Sequence, residues 1–193
     1  MAVDRNTISV EVFSSTCCYQ GQVLNRGIRL ADMLGDPTSD LLELQDVIVH
    51  PHGYPSAGVR CPQVLVKKSE VLVVVPQGNF PPPERRSEVR GTKNQFGVLL
   101  VLPGYLVMGV VQLPERSGPL TLLSAQSTLP SFVAVGSVIL HASVPGCEPQ
   151  DHEWAIIRRN SIEAIHLSPE LTEDDLNPSR DGPVAAGAIA SQP

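Results

Sequence analysis

The sequence predicts an all-β protein made of two copies of one unit of five short strands. Three observations carry this expectation. The first is a repeat. Leu44-Gln-Asp-Val-Ile-Val-His50 aligns with Val135-Gly-Ser-Val-Ile-Leu-His141, and Lys67-Lys-Ser-Glu-Val71 with Arg158-Arg-Asn-Ser-Ile162, both at an offset of 91 positions. Upstream, Tyr19-Gln-Gly21-Gln-Val23 aligns with Val107-Met-Gly109-Val-Val111 at an offset of 88, so the second copy gains three residues in between. A duplication settles architecture before any single motif does. The second observation is period-two alternation, with Ile8, Val10 and Val12 set against Ser9 and Glu11; that is the pattern of a half-buried strand. The third is composition. The 193 residues are 42% hydrophobic but only 4% aromatic, with 18 Pro and 15 Gly, which suits short aliphatic strands joined by many turns.

Each element follows in order. Residues 7–13 form the first strand and Ser14, Ser15 and Thr16 a turn. Residues 18–24 form the second strand, with Gly21 inside it marking a sharp bend. Residues 29–34 are apolar at 30, 33 and 34, a short helical turn closed by Gly35-Asp36-Pro37. Residues 41–50 form a strong strand, 51–62 a turn-rich exposed loop, and 64–67 and 70–75 two strands around a tight turn at Lys68 and Ser69. In the second copy, 97–102, 106–112, 132–142, 153–157 and 161–167 are the strands. Pro103-Gly104 is the first turn, Gly109 the bend, 120–123 the replacement for the helical turn, and 145–152 the variable loop.

The expected organisation is a first unit at 1–76, a basic Pro-rich linker at 77–95, a second unit at 96–168 and a tail at 169–193. The linker carries Pro81-Pro82-Pro83 and then Arg85, Arg86, Arg90 and Lys93, the composition of a semi-stiff solvated spacer. The tail is acidic and then rich in Ala, Gly and Pro, too poor in apolar surface to fold, and is expected to be disordered. Units of about 70 residues lie near the small end for a self-sufficient core, so the two are expected to lean on each other or on other chains.

Net charge is −6. The excess of acid lies in both units and the tail, while the linker is basic. No global field draws the chain to nucleic acid or to an anionic membrane. Met1 to Asn6 contain no apolar stretch, so no signal peptide is expected, and the longest apolar runs are five residues, far too short to span a bilayer. A cytoplasmic location with reduced thiols follows as the expectation. Cys17, Cys18, Cys61 and Cys147 match no zinc spacing.

Five strands, a Gly in the bent second strand and a basic turn before the last strand together resemble the Sm-like small β-barrel. Ile157-Arg158-Arg159-Asn160-Ser161-Ile162 is similar to that family's second motif: an apolar residue, Arg-Gly, a polar residue or two, then Ile or Val. Gly21 and Gly109 stand where the first motif has its Gly. The resemblance spans residues 7–75 and 96–167 and implies two tandem five-stranded Sm-like barrels. Arg159 replaces the motif's Gly, and the first copy has Lys67-Lys68-Ser69. The Asp and Asn that contact the RNA base in the family have no clear counterpart, since residues 42–46 and 132–135 occupy that place. A second stretch, Arg29-Leu30-Ala31-Asp32-Met33-Leu34 followed by residues 41–47, resembles an uncharacterised bacterial domain, which implies a bacterial origin and no known activity.

Lys67, Lys68, Arg158 and Arg159 are the candidate RNA- or anion-binding residues, two cations at the same place in each copy. The alternative is that these charges keep a hairpin tip in water, and the acidic balance of the units favours it. His50 and His141 are equivalent, and His50 with His52 could share a face, but a metal needs a third ligand and nothing in the spacing singles out Cys61 or His152 as one; strand-end histidines are the favoured reading. Trp154 and Tyr19 are single aromatics that suit a core or an interface. No Gly-x-Ser-x-Gly elbow and no phosphate loop is present. The expectation is therefore a non-enzymatic interaction or scaffold protein. It needs no metal or cofactor and assembles with a protein partner or with itself through strand edges. RNA binding through the basic turns is the alternative.

Overall fold

The computed structural model describes residues 7–25, 27–52, 57–78, 93–124, 128–144 and 147–167. The expected tail and residues 79–92 of the expected linker lie outside the described residues. The protein is all-β. Among the described residues ten strands run β1 Thr7–Phe13, β2 Cys17–Leu24, β3 Leu41–Pro51, β4 Val59–Lys67, β5 Val73–Pro76, β6 Lys93–Leu102, β7 Tyr105–Pro114, β8 Phe132–Ala142, β9 Gln150–Arg158 and β10 Ala164–Leu167. A short helix, α1 Leu30–Gly35, falls where the sequence placed a helical turn, and a 3-10 turn at Pro119–Leu122 takes its place in the second half. Lys93, expected in the linker, opens β6 and pairs with Pro114.

All ten strands form one antiparallel sheet in the order β10-β6-β7-β8-β9-β5-β1-β2-β3-β4. Each half has the same internal order, with its fifth strand beside its first. The sheet is not closed: β10 and β4 are its two edges.

The pairing registers follow the repeat. Gln20 faces Ile48 and Gln22 faces Gln45, while Met108 faces Ile139 and Val110 faces Gly136. These pairs are related by 88 positions in the second strand and 91 in the third. In both places the third strand spends three steps against two, a bulge that sharpens the local bend. The bulge holds Asp46 and Ser137, each at φ 50. Gly21 and Gly109 lie against it because there is no room for a side chain. A Cβ on Gly109 would stand 2.6 Å from Val135 Cγ1 and 2.9 Å from the carbonyl oxygen of Gly136. One on Gly21 would stand 3.1 Å from the carbonyl oxygen of Gln45.

The halves are joined through β5 and β9. Val73 faces Ile157 and Val74 faces Ile156, and the Arg158 amide donates to the Leu72 carbonyl at 2.9 Å. β5 is apolar throughout because both of its faces are buried. Val73 and Val75 enter the core of the second half, and Val74 enters that of the first. The cores trade residues across the junction. Phe132, Trp154 and Ile156 complete the first core, while Phe13 and Leu72 join the second. Burying one such aliphatic side chain contributes about 1.5–3 kcal/mol, so the shared strand and the exchanged side chains tie the copies together.

Candidate functional site: the basic turns and the free strand edges

Lys67 and Arg158 end β4 and β9, and Lys68 and Arg159 open the two equivalent 3-10 turns that follow, Lys68–Glu70 and Arg159–Ser161. Their backbones are anchored alike: the Lys68 amide donates to the Asp40 carbonyl and the Arg159 amide to the Ser131 carbonyl, each at 2.8 Å. Lys68 and Arg159 are only 9% and 8% exposed, so neither can be offered freely to a ligand. The Lys68 ammonium donates to the carbonyls of Met33 at 2.7 Å and Asp36 at 3.0 Å. These carbonyls belong to the C-terminal part of α1, where unpaired acceptors and the negative end of the helix dipole favour a cation. Arg159 Nη1 donates to the Ser124 carbonyl, beyond the 3-10 turn that replaces α1. In both halves the second cation of the pair fastens the connector between the second and third strands to the sheet.

The first cation of each pair is placed differently. Lys67 is exposed at the end of β4. Arg158 is half-buried, and burial pushes its guanidinium below its ordinary value against the opposing pull of Glu70 in the other half. The four sequence candidates thus do not converge: two are spent on backbone carbonyls, one faces the junction and one faces solvent. Beside them, hydrogen bonds from Thr38 hold the Asp36 carboxyl below its ordinary value.

His50 lies in β3 and His141 at the matching place in β8, near the strand ends. Among the described residues no group of three His, Cys, Asp or Glu side chains could hold a metal ion. All four cysteines are free. Burial pushes the Cys18 thiol up to about 12, so it stays protonated and is a poor nucleophile at neutral pH. Trp154 is buried in the shared core, and Tyr19 packs against it.

Sequence reasoning did not identify which strand edges remain open. At the junction β9 is covered by β5, and Trp154, Ala155, Ile156 and Ile157 are all buried. The matching residues of β4 are Gln63, Val64, Leu65 and Val66, and only Val66 is buried. Leu65 is 56% exposed where Ile156 is fully buried. At the other end of the sheet, β10 exposes Leu167 and half-exposes Ile165, whereas the equivalent β5 is buried along Val73, Val74 and Val75. Both strands keep apolar residues, although no described strand pairs with the outer side of β4 or β10.

Among the described residues no helix is long and apolar enough to cross a membrane. Comparison with protein-family models, with curated proteins and with solved structures found no match to this chain.

Proposed function

We propose that the protein is a non-enzymatic interaction or scaffold protein that assembles through its two open strand edges. The partner it fits best is another copy of itself, added head to tail. One observation carries the reading: β4 and β10 carry, unpaired, the same strand positions that β9 and β5 bury against each other. An exposed apolar edge is a template for strand addition. Transferring the internal register to the ends sets Ala164 of one chain opposite Val66 of the next, and Ile165 opposite Leu65. Head-to-tail contacts of this kind close into a ring or run on as a filament.

The same reading takes each half as an Sm-like small barrel. The matching strand order in both halves, the Gly pressed against a bulge and the basic 3-10 turn before the last strand support it. RNA binding is the weaker reading. Lys68 and Arg159 already donate to backbone carbonyls, leaving Lys67 and part of Arg158 to meet phosphate. The test is the mass of the purified protein in solution with and without nuclease. Assemblies that are multiples of 20.7 kDa and survive nuclease support the scaffold reading. Assemblies that collapse on nuclease treatment favour RNA.

A further inference from the structure

The open edges carry charge as well as apolar side chains, and the internal junction says where those charges fall when two copies meet. At the junction the Arg158 amide donates to the Leu72 carbonyl at 2.9 Å, beside the Val73–Ile157 pair. The repeat offset of 91 carries Arg158 to Lys67 and Leu72 to Glu163. Head-to-tail addition therefore sets the Lys67 amide of one copy against the Glu163 carbonyl of the next. Opposed residues in a hydrogen-bonded antiparallel pair have Cα atoms about 5.5 Å apart, within reach of a lysine and a glutamate side chain. Lys67 and Glu163 are both exposed in the single chain.

Two further relationships commit this edge to a second copy. The junction already sets an acid against a base at this place. Burial disfavours the Arg158 guanidinium, and Glu70 of the other half opposes that. The counterpart of Glu70 is Ser161, so a copy docking on β4 does not bring that carboxylate. It brings Glu163 instead, where the first half has Leu72. The second relationship is apolar. In the junction α1 packs against β8 of the other half, and Leu30, Leu34 and Phe132 share one core. The 3-10 turn that replaces α1 leaves Leu120 69% exposed, and Leu123 just after it is 44% exposed. The counterpart of Phe132 is Leu41, 42% exposed. A second copy docked as the halves dock brings Leu120 and Leu123 toward Leu41, so exposed leucines at both ends of the sheet face each other. Exposed apolar patches of this kind mark contacts with a partner.

We propose that Lys67 of one copy and Glu163 of the next form an ion pair across the β4–β10 contact and fix which end of a second copy docks. This pair rests on the head-to-tail reading above and adds the residues that give it direction. Opposite charges across an antiparallel pair stabilise it, and like charges destabilise it. An exposed ion pair adds little to affinity, but complementary charge suppresses wrong partners and fixes register. At this position β4 carries the cation and β10 the anion, so the pair forms when unlike ends meet.

The test sediments the nuclease-treated full chain over a range of concentrations. Wild type is compared with Lys67→Glu, with Glu163→Lys, with the chain carrying both substitutions, and with an equimolar mixture of the two single variants. Each single reversal sets like charges across the contact and is expected to weaken association about fivefold or more. The double variant restores the pair with its signs exchanged. The mixture restores it at every contact, because the two single variants can alternate. Both are expected to associate within about threefold of wild type. The gap between wild type and each single variant is expected to narrow as salt is raised. Thermal unfolding checks that the variants fold. Where a reversal does not, Lys67→Gln and Glu163→Gln replace it, each expected to associate about two- to threefold more weakly than wild type. If wild type assembles and the single variants assemble equally well, or their mixture does no better than its components, the ion pair is overturned and the scaffold reading stands. Wild type at the single-chain mass throughout overturns both.

Discussion

Leu65 and Ile156 occupy the same position in the two halves of the sheet, 91 residues apart, yet Leu65 is 56% exposed and Ile156 is fully buried. Their own strands are alike; their neighbours differ. β9 has β5 on its outer side, and β4 has no described strand on its outer side. An aliphatic side chain loses about 1.5–3 kcal/mol of burial when left in water. The same strand positions are thus covered once, at the junction, and left exposed on the edges of β4 and β10.

The close approach of Gly109 to the β8 bulge predicts a graded cost for adding a methyl group. Gly109→Ala should destabilise the protein by about 2–3 kcal/mol, since a Cβ would press on both a side chain and a backbone carbonyl. Gly21→Ala, with contacts of 3.1 Å, should cost less, about 1 kcal/mol. Urea unfolding of the two variants measures both. Equal, negligible effects would mean that the second strands do not press on the bulges.

Lys68 and Lys67 are neighbours with opposite fates. Lys68→Ala removes two part-buried, charge-assisted hydrogen bonds to backbone carbonyls and should destabilise by about 2–3 kcal/mol, while Lys67→Ala should be nearly neutral. Chemical unfolding separates them. A neutral Lys68→Ala would mean that its ammonium is free to serve a ligand.

His152 predicts a pH dependence. Burial lowers its pKa, outweighing the opposing pull of Glu11 and Asp151, and its Nε2 has no hydrogen-bond partner. The unfolded chain then takes up a proton first, from about pH 6.5 downward. The contribution of neutral His152 is complete above that value and is lost as pH falls toward the lower folded value. Wild type should lose more stability than His152→Gln between about pH 7.5 and about pH 5.5. Parallel losses in the two proteins would remove His152 as the cause.

The repeat offsets carried more of the fold than the periodicity did. They placed Gly21 with Gly109 and Asp46 with Ser137, and the strand registers follow the same spacings. What they could not convey was the partner of each strand. Alternation in residues 64–66 and in 155–157 does not say that one strand is covered and the other open, because that depends on where the chain runs next. The basic turns were misleading for a related reason. Two adjacent cations suggest a solvated tip, but a lysine stem is long and apolar, and the carbonyls at the end of α1 accept its ammonium. The contact of His52 with Tyr105 left no local trace either, since the two rings meet only after the two halves pair.

If the open edges of β4 and β10 join copies of this chain, sedimentation of nuclease-treated protein shows it. Three proteins are compared over a range of concentrations: wild type, Leu65→Arg on the open edge, and Leu24→Arg on β2, an exposed apolar position in a strand already paired on both sides. Wild type and Leu24→Arg are expected at multiples of 20.7 kDa and Leu65→Arg at the single-chain mass, all three folded. Wild type at 20.7 kDa throughout, or Leu65→Arg assembling as wild type does, would contradict it.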